Sequence, residues 1–188
     1  VSVPFSEVYT GLQRGSIDCA MSDPTALVSG FKVAEVAKFV TALPMGTHTS
    51  GATYVMNPGW WANLSDEQKA TLFDQFALAI AKMEVDYEAQ VTQNIDAAKE
   101  MGVEMVTPAT ALTDELDAFN GEYIATLAEV SVENRGVEDP SALIQAYVDA
   151  ETRWKQRLAG IDRTDPQALA DLLNAEVFSK IDLATYGQ

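Results

Sequence analysis

Apolar residues recur at three- and four-residue steps through a long central segment of the chain. This spacing is typical of one face of an α-helix. Ser65 and Gln68 form a capping box before the segment, because each side chain can accept a hydrogen bond from the other residue's backbone N–H. Gly102 follows it as a typical C-terminal glycine. The pattern predicts a continuous helix within residues 65–102, about 50 Å long at the usual rise per residue.

A helix of that length exceeds the diameter of a domain of this size, so it is either kinked or lies across two lobes. No heptad pattern of charges supports a coiled coil, and we favour the second alternative. We therefore predict a long lobe-spanning helix over residues 65–102. Residues 1–64 would form an α/β region, and residues 103–188 a C-terminal strand and helices.

The first third of the chain has a different pattern, in which short apolar runs alternate with short helical ones. This alternation predicts an α/β sheet. The predicted elements are a helix over 7–14, a strand over 16–21, a helix over 25–36, and strands over 38–43 and 52–56.

The last part of the chain is strongly amphipathic and predicts a helix-rich region. A strand is expected over 103–106, followed by helices over 114–133, 140–159 and 166–178. The last two helices begin with the same dipeptide, Asp139-Pro140 and Asp165-Pro166. Asp is a favoured N-cap and Pro a favoured first helical residue, so both starts are predicted to be capped in the same way.

Composition and charge exclude several classes of protein. The chain has 188 residues, of which 47% are hydrophobic, and a formal net charge of −16. It can bury a core, but it lacks the basic face that a nucleic-acid-binding protein needs. An anionic membrane surface would repel it, and no apolar stretch approaches the roughly 20 residues that span a bilayer. We expect neither nucleic-acid binding nor direct membrane insertion.

Catalytic and metal-binding signatures are weak. With one Cys and one His, the chain can form no intramolecular disulfide and no Cys/His zinc site. It has no glycine-rich phosphate loop and no calcium-binding loop. His48 lies in a Gly/Thr/Ser loop without an obvious acid partner, so contact with a ligand or with solvent is favoured over catalysis. The prediction is a non-enzyme without a cofactor or metal, with a His48-dependent enzyme near Asp23 as an alternative.

Two further features concern possible binding surfaces. Trp60 and Trp61 are adjacent, so their side chains point in different directions and at least one is expected in the core. Together with the helix faces they leave a second alternative open, a helical protein–protein interaction module. Arg14 is the cation of the first third best placed to clamp a carboxylate at the predicted sheet edge.

The stretch from Phe5 to Asp18, FSEVYTGLQRGSID, resembles the signature of extracytoplasmic solute-binding proteins of tripartite ATP-independent periplasmic (TRAP) transporters. The continuation is similar too: a turn with Pro24, the segment EVAKFV, and WANLS opening a very long helix. The resemblance implies a two-lobed α/β solute-binding protein, a type II-like clamshell. In such a protein, residues 1–64 would form part of the α/β ligand-binding lobes with their hinge strands. The chain opens without Met and is shorter than family members, so it is expected to be their C-terminal portion.

The resemblance also implies a ligand site. Phe5 matches an aromatic residue that lines the substrate cleft, and Ser22 and Asp23 fall where many relatives place a ligand-binding Asn. A loop facing the cleft contributes Thr47, His48 and Ser50. A carboxylate at Asp23 would repel a bound carboxylate, which disfavours a plain dicarboxylate and leaves a hydroxy acid, a zwitterion or a cation-bridged acid. Alternatively, Asp23 caps the next helix.

The resemblance also implies a function in the periplasm. The protein would capture a small organic acid, deliver it to the membrane subunits of a TRAP transporter, and carry out no covalent chemistry. Its partners would be the ligand and those membrane subunits.

Overall fold

The computed structural model of this chain describes residues 3–46 and 54–187. In those residues it has six α-helices, two β-strands and several short 3₁₀ turns. The elements in chain order are α1 (Val8–Arg14), β1 (Phe39–Thr41), α2 (Pro58–Ala62), α3 (Asp66–Glu100), β2 (Glu104–Val106), α4 (Thr110–Arg135), α5 (Ser141–Leu158) and α6 (Pro166–Glu176). The chain divides into two compact units: unit 1 is Val1–Gly46 with Tyr87–Gly121, and unit 2 is Thr47–Asp86 with Glu122–Gln188.

The long central helix is present as one continuous element, α3, of 35 residues. Its predicted capping box is confirmed, since Ser65 N donates to Gln68 Oε1 at 2.9 Å and Gln68 N donates to Ser65 Oγ at 3.2 Å. Gly102 follows with a φ of 84°, the left-handed conformation that ends helices. The helix contributes residues to both units. Its place between the lobes of a clamshell remains a prediction.

Unit 1 contains a two-stranded parallel sheet in which Phe39 pairs with Glu104 and Thr41 with Val106. Two small apolar clusters form its core. One joins Leu27, Ala34, Ala98 and Val103, and the other joins Val8, Ala26 and Val33. The first cluster connects the loop after α1 to the C-terminal end of α3.

Unit 2 is built on close contact between small residues. Ala77 and Ala81 of α3 are fully buried against Ala170 of α6. An aromatic cluster extends this core, in which Phe73 stacks on Phe178 at 5.4 Å. The cluster also includes Trp61, whose Nε1 donates to the carbonyl of Tyr186 at 2.8 Å.

Two elements predicted in the first third are wrong. Residues 16–21 form no strand: among the described residues the one sheet pairs 39–41 with 104–106 only, and Met21 is 75% exposed. The helix predicted over 25–36 is replaced by 3₁₀ turns at Pro24–Ala26 and Val33–Glu35. The α-helical pattern is interrupted where Lys32 adopts a left-handed φ of 57°. The strand predicted over 52–56 lies partly outside the described residues, and its described part, 54–56, is not a strand.

The other predicted elements are confirmed, with one correction in how α5 begins. Asp165 caps α6 as predicted, because its side chain accepts from Gln167 N at 2.8 Å. Asp139 does not cap α5; it adopts a φ of 42°, and Pro140 takes the N-cap position without a side-chain hydrogen bond. The same dipeptide therefore starts the two helices differently. No helix in residues 3–46 or 54–187 is long and apolar enough to cross a membrane.

Candidate functional site

Phe5 opens the 3₁₀ turn Phe5–Glu7, directly before α1. Its side chain remains 36% exposed. The ring meets that of Phe31 edge to face, with 4.3 Å between centroids and an interplanar angle of 84°. One aromatic side chain predicted to line the ligand site is thus accessible and held by a second aromatic ring.

Asp23 is exposed and caps the 3₁₀ turn Pro24–Ala26. Its Oδ1 accepts from Thr25 N at 2.8 Å and also from the Thr25 hydroxyl. Ser22 is exposed as well, and its Oγ donates to the backbone carbonyl of Asp23 at 3.4 Å. The capping alternative for Asp23 is therefore confirmed. Capping leaves a role in ligand binding open, because the residue is still accessible.

Asn94 supports the segment that follows Asp23. It is 5% exposed on α3, and its Oδ1 accepts from Val28 N at 3.2 Å and from Ser29 N at 2.7 Å. Its Nδ2 donates to the carbonyl of Gln90 at 2.8 Å. Both ends of the amide are thus used, and the side chain ties the segment to α3 within unit 1.

The sequence analysis did not single out Asn94, although a signal was available. Asn94 lies three residues after Val91 and four before Ala98, within the apolar stripe of the helix. A polar side chain in such a stripe is expected to have a specific hydrogen-bond partner.

A second contact joins α1 to the same segment. The Tyr9 hydroxyl donates to Glu35 Oε2 at 2.9 Å. This hydrogen bond raises the pKa of Tyr9 above its ordinary value, because it stabilises the protonated phenol, and burial and the charge of Glu35 act in the same direction.

Arg14, the candidate carboxylate clamp, lies at the end of α1 and lines a surface cavity of about 390 Å³. The cavity is lined by Val3, Glu7, Thr10, Gly11, Arg14, Ser16 and Ile17. Neither Phe5 nor Ser22 nor Asp23 is among these residues. Through this cavity, the structure therefore does not join Arg14 to the three predicted ligand-site residues that it describes.

The two tryptophans differ in burial, as predicted. Trp61 is 4% exposed and packs in the aromatic cluster, whereas Trp60 is 50% exposed. Trp60 lines a cavity of about 280 Å³ in unit 2 together with Leu64, Gln68, Thr71 and Leu72. This cavity contains none of the predicted ligand-site residues that the structure describes, Phe5, Ser22 and Asp23.

The remaining predicted site residues, Thr47, His48 and Ser50, lie outside the described residues. Over residues 3–46 and 54–187, no group of three or more His, Cys, Asp or Glu side chains is arranged to hold a metal ion. The described part of the candidate site thus consists of Phe5, Ser22 and Asp23, all in unit 1.

Comparison with known proteins provides independent evidence. Residues 1–129 match the model of the family described as bacterial extracellular solute-binding protein, family 7 (DctP). The chain is also 33% identical over 114 residues to the 2,3-diketo-L-gulonate-binding periplasmic protein YiaO of Escherichia coli (strain K12). That alignment covers 57% of this chain and 32% of the relative, so the chain spans about a third of the relative's length. No solved structure matches the chain.

The family match covers well over half of the 188 residues and includes Phe5, Ser22 and Asp23. It agrees with the resemblance seen in the sequence from Phe5 to Asp18, and membership implies a two-lobed periplasmic binding fold. The chain belongs to family 7 of the bacterial extracellular solute-binding proteins, the solute-binding proteins of TRAP transporters.

Proposed function

We propose that this chain forms the substrate-binding component of a TRAP secondary transporter, which captures a small carboxylate-containing solute in the periplasm and delivers it to the membrane permease. The family match over residues 1–129 is the observation that carries the proposal. The chain would act by binding alone, without covalent chemistry. Ligand would shift the protein from an open to a closed form, and the closed form would dock on the membrane subunits.

The proposed site combines an apolar ring with short polar side chains. Phe5 offers a ring face to the hydrocarbon part of the solute, while Ser22 and Asp23 offer a hydroxyl and a carboxylate. We assign Thr47, His48 and Ser50 to the same site. Hydroxyl and carboxylate groups at such a site suit a solute that carries hydroxyl groups besides its own carboxylate.

The charge of Asp23 narrows the substrate class. A second carboxylate close to Asp23 is unfavourable unless a hydroxyl, an ammonium or a cation lies between them. We therefore favour a hydroxylated organic acid over a plain dicarboxylate. The 33%-identical relative is named for binding 2,3-diketo-L-gulonate, which is itself a hydroxylated carboxylate.

A thermal-shift screen of the full-length protein tests this proposal. The panel is 2,3-diketo-L-gulonate, D-gluconate, succinate and glycine betaine, with D-glucitol as a neutral control. A ligand at 100 times its Kd raises the free energy of unfolding by about 2.7 kcal/mol. We expect at least one hydroxylated acid to stabilise the protein and D-glucitol to have no effect. If neither 2,3-diketo-L-gulonate nor D-gluconate raises Tm, the proposed substrate class is wrong.

Delivery to the permease needs its own experiment. Proteoliposomes that contain the membrane subunits should accumulate the stabilising acid only when the binding protein is added outside. Uptake that is equally fast without the binding protein would contradict the delivery step and leave the binding step intact.

A further inference from the structure

Phe31 contacts Phe5 and belongs to none of the groups of residues assigned to the ligand site above. The two rings meet nearly at right angles, with centroids 4.3 Å apart. In this geometry the positive edge of one ring lies against the negative face of the other, which favours one relative orientation over a range of others. The contact therefore restricts how the Phe5 ring can turn.

A second contact joins the two chain segments that carry these rings. Tyr9 lies four residues after Phe5, and Glu35 lies four residues after Phe31. The Tyr9 hydroxyl donates to Glu35 Oε2 at 2.9 Å, so the two segments touch twice at the same offset of 26 residues. Between these contacts along the chain, Val8 and Val33 belong to the same buried apolar cluster, together with Ala26. The position of Phe31 relative to Phe5 is thus fixed by neighbours on both chain segments.

The backbone that carries Phe31 is also tightly held. Phe31 N donates to the carbonyl of Ala26 at 3.3 Å, and Gly30 N donates to the carbonyl of Thr25 at 3.0 Å. A side chain at Gly30 would bring a Cβ to 3.1 Å from that Thr25 carbonyl oxygen, a close contact to which the backbone would have to adjust by a few tenths of an ångström. On the N-terminal side, Asn94 holds Val28 and Ser29. The loop therefore presents Phe31 from a restrained backbone.

Both rings nevertheless remain partly accessible, with Phe5 36% and Phe31 43% exposed. The Phe5–Phe31 contact leaves ring surface available to a solute.

We propose that Phe31 is a positioning residue of the ligand site: its edge-to-face contact holds the Phe5 ring in the orientation that receives the hydrocarbon part of the bound acid. The proposal rests on the proposed function, because it requires Phe5 to contact the ligand. Phe31 acts through Phe5, and its replacement by a residue without a ring releases that orientation.

The experiment uses the full-length protein and four variants. Phe31→Leu keeps apolar volume but removes the ring, and Phe31→Tyr restores a ring. Phe5→Leu tests the proposed site itself. Phe39→Leu is the matched control, because Phe39 is a 68% exposed phenylalanine of the same unit. Affinity is measured by calorimetry with whichever acid of the panel 2,3-diketo-L-gulonate, D-gluconate, succinate and glycine betaine stabilises the protein most.

A spectroscopic readout separates positioning from general damage. Each protein is labelled with 4-fluorophenylalanine, and the ¹⁹F resonance of residue 5 is assigned by its loss in Phe5→Leu. We expect Phe31→Leu to shift and broaden this resonance in the ligand-free protein and to weaken binding about three- to tenfold, the size that an aromatic pair supports. Phe31→Tyr should restore both, and Phe39→Leu should change neither.

The outcomes distinguish the two proposals. If Phe5→Leu weakens binding but Phe31→Leu does not, the positioning role is wrong and the proposed site stands. A Phe31→Leu protein with weaker binding and an unchanged residue-5 resonance also overturns the positioning role. If Phe5→Leu binds as tightly as the unaltered protein, Phe5 is not part of the site, and both the site assignment and this inference fail.

Discussion

At the scale of single residues, Asp23 combines a local structural task with an accessible position. Its Oδ1 accepts from Thr25 N and from the Thr25 hydroxyl, which fixes the turn at Pro24–Ala26. The side chain is still exposed. Its capping role and its charge can be separated by substitution, because Asn caps helices as well as Asp does but carries no charge.

Asp23→Asn should therefore leave thermal stability nearly unchanged, whereas Asp23→Ala should cost about 1 kcal/mol through loss of the cap. In the same proteins, calorimetry should show tighter binding of succinate by Asp23→Asn, since the repulsion between carboxylates is removed. Equal stability of the Asn and Ala variants would contradict the capping role. Succinate affinity that does not respond to Asp23→Asn would contradict a place near the bound acid.

Asn94 is the residue whose loss should loosen the segment 23–36 most directly. Asn94→Ala leaves two partly buried backbone N–H groups, those of Val28 and Ser29, without their acceptor. We expect a loss of about 1–3 kcal/mol in the free energy of unfolding, measured with urea. Asn120→Ala, at an exposed position of α4, is the control and should change it by less than about 0.5 kcal/mol. Similar losses in both variants would show that the Asn94 contacts contribute little.

Ionisation of the Glu176 carboxyl makes the free energy of unfolding depend on pH. Its hydrogen bond with Lys180 lowers the pKa of the carboxyl below its ordinary value of 4.5, and the charge of Arg157 acts in the same direction. A carboxyl with a lowered pKa stabilises the folded protein above the pKa of the unfolded chain, and this contribution is lost as pH falls through the folded pKa.

The Tm difference between the unaltered protein and Glu176→Gln should accordingly be largest near pH 7 and shrink as pH falls below about 4.5. Calorimetric scans at several pH values measure it. A Tm difference that stays constant down to pH 3 would show that ionisation of Glu176 does not cause the pH dependence of stability. Glu67→Gln, on an exposed acidic residue at the start of α3, serves as the control for the loss of one negative charge.

At the scale of elements, α3 could be predicted from the sequence because every local signal agrees there. The three- and four-residue spacing, the Ser65–Gln68 capping box and Gly102 all depend on residues close in the chain. The helix predicted over 25–36 is absent, and the contact that competes with it comes from a residue distant in the chain. Asn94 takes the N–H groups of Val28 and Ser29 from 66 and 65 residues away, a competition that local periodicity does not reveal.

The packing of α3 on α6 depends on small side chains and is sensitive to added volume. Ala81 is fully buried against Ala170, so Ala81→Leu should destabilise the protein by about 1–3 kcal/mol through overpacking. Ala79→Leu, at an exposed position two residues away on α3, should have almost no effect. Urea unfolding of both variants measures the difference. An Ala81→Leu protein as stable as Ala79→Leu would show that the α3–α6 contact is loosely packed.

At the scale of the whole molecule, the sequence predicted the family and the helix-rich character, and only part of the site. Phe5 and Asp23 could be named because a short signature carries them, whereas Asn94 and Phe31 act through contacts between segments distant in the chain. Residues 130–188 lie beyond the family match, yet Ala170 is buried against α3 in the core of unit 2, and the Tyr186 carbonyl accepts from Trp61. This C-terminal region is therefore part of the folded unit.

Recognition of a carboxylate-bearing solute is tested best by direct titration. Calorimetry of the full-length protein with D-gluconate or 2,3-diketo-L-gulonate should give saturable binding with one molecule bound per protein. The corresponding neutral polyol, D-glucitol, should give no heat of binding. Equal affinity for the acid and the polyol, or no binding of either acid at millimolar concentration, would contradict recognition of the carboxylate.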